Sequence, residues 1–120
     1  MADLAPVFKA LHAVLQPYAD RLDVKRDNGQ EIYLDTHHVQ KNKQPLFFGA
    51  VQVKKTFVSV HLMPVYLQPA LLGAVSDALK ARMQGKSCFN FKAVEPALFQ
   101  ELATLVAAGY ASYQAQGLVR

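Results

Sequence analysis

Two stretches, residues 46–53 and 56–63, flank the dipeptide Lys54-Lys55 and constrain this chain more than any other feature. In both, apolar residues recur at every second position, the period of an extended strand with one buried face. With Lys54-Lys55 as a two-residue turn, Val53 faces Thr56, Val51 faces Val58, Gly49 faces Val60 and Phe47 faces Leu62. One face of that pair is then almost wholly apolar. The other carries Phe48, Ala50, Gln52, Phe57, Ser59, His61 and Met63. A one-residue slip would exchange the faces, so each facing assignment depends on register.

The segments around this pair fill in an α+β pattern. Leu4, Val7, Leu11, Val14, Leu15 and Tyr18 recur at spacings of three and four, which predicts a helix over 1–16. Asp3 is placed to cap it, Pro6 falls in its first turn, and Pro17 should end it with at most one further turn to Arg21. Alternation then resumes on both sides of Asn28-Gly29, a hairpin signal because that turn needs positive φ. After Pro64, two short helical pieces are expected at 69–75 and 77–84, the second capped by Ser76 and stopped by Gly85. A short strand over 87–92 and a last helix from Pro96 to Gly117 complete the chain. The expected order is α-β-β-β-β-α-β-α. It describes a single α+β domain over 1–120, a two-layer sandwich with a mainly antiparallel sheet of about five strands and helices packed on one face.

Composition narrows the function classes. One cysteine, Cys88, rules out an internal disulfide and a cysteine-based metal knuckle, and it suits a reducing, cytoplasmic setting. No apolar run reaches the length of a membrane span, and 1–16 reads as a mature helix without leader character. The net charge of +4 and pI near 9.3 make the chain mildly basic. Its basic residues are scattered, with no run longer than two, so a solvated basic surface explains them better than a nucleic-acid strip. Gln84-Gly85-Lys86-Ser87 is not a phosphate loop: Lys80 stands where the first glycine belongs, and a helix precedes the motif instead of following it.

The candidate site is the mixed sheet face. Tyr33, His37, Phe48, Gln52, Phe57, Ser59 and His61, with Lys86 near the rim, combine aromatic walls with a few polar groups, the make-up of a small-ligand pocket. If helices cover only the apolar face, this side must meet solvent, a ligand or a second copy in a homodimer. Asp35, His37 and His61 form an alternative set, one carboxylate and two imidazoles that suit iron or zinc. Cys88 beside His61 has the composition of a nucleophile and base, but Cys88 sits between two phenylalanines and reads as a small buried hydrophobe. No catalytic set and no resident cofactor is expected. The function expected is non-enzymatic binding of a small ligand, anionic ones included, or of a partner on the open sheet face.

Residues 53–66 (VKKTFVSVHLMPVY) and 78–91 (ALKARMQGKSCFNF) resemble the YdhG-like family, a widespread bacterial group of small domains of unknown function. The similarity spans roughly 20–115, with HLMP and GKSCFNF as its specific parts. The resemblance implies a compact α+β fold and brings no established reaction. Some relatives are described as frataxin-like iron chaperones, which bind iron through an acidic first helix and strand. Here that region holds only Asp3, Asp20 and Asp23 amid Lys9, Arg21, Lys25 and Arg26, too few oxygen ligands for a hard cation. Metal handling of that type is therefore the alternative, followed by weak nucleic-acid binding.

Overall fold

The alternating segments fold into an antiparallel meander. In the computed structural model, which describes residues 3–119, the order is α1 (Ala5–Leu15), β1 (Asp23–Asp27), β2 (Glu31–Val39), β3 (Pro45–Val53), β4 (Val58–Leu62), α2 (Met63–Leu67), α3 (Asp77–Lys80), β5 (Met83–Gln84), β6 (Cys88–Phe91) and α4 (Pro96–Ala115). Turns of 3-10 helix at Gln16–Arg21 and Pro69–Ala74 follow α1 and α2. Met1 and Ala2 of the expected first helix lie outside the described residues. Asp3 Oδ1 accepts a hydrogen bond from the Ala5 N–H at 3.0 Å, and the helix gives way to the tighter turn at Pro17 as expected.

All neighbouring strands pair antiparallel, in the order β1-β2-β3-β4-β6-β5. The sixth strand is a correction. Met83-Gln84 pairs with Phe89 and Cys88, so the helix expected over 77–84 stops at Lys80, and Gly85 turns a hairpin instead of closing a helix. Ser76 does cap α3, accepting from the Leu79 N–H at 3.2 Å.

Both early hairpins differ from expectation in their turns. Asn28 closes its hairpin through its N–H to Glu31 O at 3.1 Å, so Gly29 and Gln30 are the central residues, not Asn28 and Gly29. Gly29 has φ +85°, a left-handed value that glycine adopts without steric cost. The β3–β4 connection spans Lys54 to Phe57 and closes by a 2.8 Å bond from Lys54 N–H to Phe57 O. Val53 therefore faces Val58 and Val51 faces Val60, two residues from the expected register. A shift of two keeps every side chain on its face.

One sheet face carries Ile32, Leu34, Val51, Val58, Val60, Leu62, Phe89 and Phe91, all within 2% of complete burial. Against it pack Leu11 and Leu15 of α1, Leu79 of α3 and Phe99, Leu102, Val106 and Tyr113 of α4. Burying side chains of this size contributes roughly 1.5–3 kcal/mol each before chain entropy is subtracted. Gly109 lets α4 approach α2 closely: a Cβ there would lie 2.9 Å from Pro64 Cβ. The helices occupy one layer and the sheet the other.

Candidate functional site

The second sheet face begins with a ladder irregularity. Leu34 pairs with Gly49, but the next pair is Asp35 with Phe47, so Phe48 is an extra residue in β3. A β-bulge of this kind re-aims the side chains around it. Phe48 consequently turns into the helical layer. It is fully buried there, with ring centroids 5.8 Å from Tyr18, 5.8 Å from Tyr110 and 5.7 Å from Tyr113. The expectation that Phe48 lines the binding face is corrected: Phe47 takes that place.

Phe47 joins a row of groups on the face. Its ring stacks on Tyr33 at 4.6 Å and 28° and lies 4.9 Å from His61. On the far side of Tyr33 the Arg26 guanidinium sits 4.4 Å from the ring centroid, a cation–π contact. Arg26 reaches this face because β1 has its own register shift between Val24 and Arg26. The series Arg26–Tyr33–Phe47–His61 thus crosses four neighbouring strands, β1 to β4. Tyr33, Phe47 and His61 are half-buried, and no helix among the described residues packs over them. Burial raises the Tyr33 phenol and lowers the His61 imidazole, so His61 is held neutral.

A polar row runs alongside. Glu31, Gln52, Ser59 and Asn90 are successive cross-strand partners. Arg26 Nε donates to Glu31 Oε1 at 2.7 Å, and Gln52 Nε2 donates to Glu31 Oε2. These two bonds hold the Glu31 carboxyl below its ordinary value, with Arg26 the larger cause. Lys25 is likewise paired to Asp23 at 2.7 Å. The cations bordering the aromatic row therefore already have anionic partners.

Tyr33, Gln52, Ser59 and His61 lie on this face as expected. The other expected residues disperse. His37 lies near the end of β2 and lines a different cleft with His38, Asp20, Arg21 and the tail at Gly117–Val119. Phe57 belongs to the β3–β4 turn and lines a cleft at the opposite margin, and Lys86 stands exposed in the β5–β6 turn. Asp35, His37 and His61 do not converge: among the described residues, no three His, Cys, Asp or Glu side chains are grouped to hold a metal ion. Asp35 is 7% exposed, and desolvation raises its carboxyl pKa. Cys88 faces His61 across the β4–β6 ladder, but burial pushes its thiol up, away from the thiolate a nucleophile requires.

Sequence reasoning missed Phe47, Arg26 and Asn90. The first two reach the face only through bulges, which strict alternation does not register. Asn90 had a signal, since it alternates with Phe89 and Phe91 in the last strand. No helix of the described residues is long and apolar enough to cross a membrane. No protein-family model matches this chain, and neither the curated proteins nor the solved structures contain a significant match to it.

Proposed function

We propose that this chain is a non-enzymatic binding module whose recognition surface is the uncovered sheet face, where a small, ring-bearing ligand packs against Tyr33, Phe47 and His61. The observation that carries this reading is the contiguous ring series on a face that no described helix covers. Rings left at a surface gain by covering their remaining exposed area. The Arg26–Glu31 and Lys25–Asp23 pairs favour a ligand recognised by its ring over one recognised by its negative charge. The raised Cys88 thiol favours binding over covalent chemistry.

Membership in the YdhG-like family and a cytoplasmic setting belong to the same proposal. A compact α+β architecture is what that resemblance implies, and the resemblance itself rests on the HLMP and GKSCFNF segments. The iron-chaperone alternative gains nothing from α1, whose first turn carries no acidic residue. A thermal-shift screen of small aromatic compounds tests the main reading. Phe47→Ala and His61→Ala should each weaken a hit by about two- to tenfold, since lost ring contacts contribute roughly 0.5–1.5 kcal/mol. A hit that keeps its affinity in both variants rejects this surface. A concentration-dependent dimer that Phe47→Ala dissolves would reassign the face to a second copy.

A further inference from the structure

A second concavity lies beyond the Asn90 end of the polar row, and none of Tyr33, Phe47 and His61 lines it. It is a cleft of about 670 Å³ between the β3–β4 turn, β5 and the segment after β6. Small-ligand sites span roughly 300–1,000 Å³, so this volume accommodates a molecule of nucleotide size. Phe57 and Met83 supply apolar wall, Asn90 a carboxamide, and Arg82, Lys92 and Glu95 the charges.

Three features of that lining select a ligand. Asn90 Oδ1 is buried with no hydrogen-bond partner, the only such side-chain atom found among the described residues. An unpaired buried acceptor destabilises the fold, and a donor from a ligand would relieve it. The terminal torsion of asparagine is broad and roughly two-fold, so the carboxamide can rotate toward the cleft without moving β6. Its backbone is anchored meanwhile, because the Asn90 N–H donates to Arg82 O at 2.8 Å. The second feature is charge. Arg82 is held by Glu95 through bonds of 2.8 and 2.6 Å, which neutralises both. Lys92 has no ion-pair partner among the described residues, leaving the cleft with one positive charge. The third is the Phe57 ring, a surface on which a flat base can stack.

We infer that this cleft binds an adenine mononucleotide, with the base on Phe57, its edge on the Asn90 carboxamide and its phosphate at Lys92. A carboxamide matches adenine because the base offers an amino donor beside a ring-nitrogen acceptor, the complement of one C=O and one NH₂. The inference stands on the cleft and the unpaired oxygen, and it does not depend on the aromatic row being a binding surface.

Titration of the full chain with AMP, followed by amide NMR shifts, tests it. Saturable shifts at Phe57, Asn90 and Lys92 are expected, with a Kd of about 1 mM or tighter. The purine ribonucleotide lacking the 6-amino group should bind about tenfold more weakly, because Asn90 Oδ1 then stays unpaired. Lys92→Ala should weaken AMP and leave adenosine unchanged. Asn90→Leu should abolish binding while thermal stability holds or rises, since it removes the orphaned oxygen. The inference is overturned by shifts that do not saturate at about ten times that concentration. Equal affinity for the amino-free analogue, measured on the unaltered chain, overturns it as well. So does a shift pattern confined to Tyr33, Phe47 and His61.

Discussion

Phe47 and Phe48 are neighbours in one strand, yet they belong to opposite environments. Phe48 sits among Tyr18, Tyr110 and Tyr113 with helices closing over it, and Phe47 lies between Tyr33 and His61 on the face left bare. Both clusters hold three or four rings at centroid separations between 4.6 and 5.8 Å. Ring contact therefore does not distinguish core from surface in this chain. What distinguishes them is whether a second layer excludes water from the remaining faces, and that is what gives one cluster to stability and leaves the other free for recognition.

The sharpest way to break this comparison is to truncate both rings. Phe48→Ala should lose about 3–5 kcal/mol of unfolding free energy, the range for a large ring removed from a packed core. Phe47→Ala should lose about 1 kcal/mol. Urea denaturation measures both, and similar losses would mean the bare face is as tightly built as the core.

A smaller contrast concerns hydroxyls. Tyr113 is fully buried and its hydroxyl donates to Phe47 O at 2.8 Å, tying the end of α4 to the bulged part of β3. Tyr113→Phe should cost about 1–2 kcal/mol, whereas Tyr33→Phe should stay within about 0.5 kcal/mol. Desolvation keeps the Tyr113 phenol protonated far above its ordinary value, so this bond persists across the accessible pH range.

The smallest effect is a pH dependence confined to the bare face. The folded-state pKa of His61 lies below its unfolded value of 6.5, because burial disfavours the charged ring. Between the two values the unfolded chain binds more protons, so stability rises with pH in that window. It is fully present above about pH 6.5 and is lost as acid approaches the folded-state value. His61→Gln should flatten this acid limb in denaturation midpoints taken from about pH 5 to 8. An unchanged slope would assign it to another group.

Much of the architecture was legible because periodicity records burial. Ile32, Leu34, Val51, Val58, Val60 and Leu62 alternate with polar or small residues, and all six reach the core. The capping of α3 by Ser76 was legible for the same local reason, a short oxygen-bearing side chain before a helical run, whereas the cap of α1 is Leu4 and Asp3 bonds Ala5 from one position earlier. The bulges were not. Phe47-Phe48 is symmetric in hydrophobicity, so nothing in the pattern says which ring faces inward, and that choice is settled by the fit of Phe48 among three tyrosines from elsewhere in the chain. Met83-Gln84 has the local pattern of a helix end, and its strand character comes only from pairing with Cys88 and Phe89. Alternation places His37 on the face, but between Asp35 and Val39 the ladder loses register, and His37 is delivered to another cleft.

The turn between β3 and β4 centres on Lys55-Thr56, one residue beyond Lys54-Lys55, which moves the pairing by two and leaves inside and outside unchanged. Loop length here is thus governed by parity. Pairs of residues can be gained or lost at Lys54-Lys55-Thr56-Phe57 without turning β4 over. A single insertion has to be absorbed within the turn, or it would put His61 in the oil and Val60 in the water.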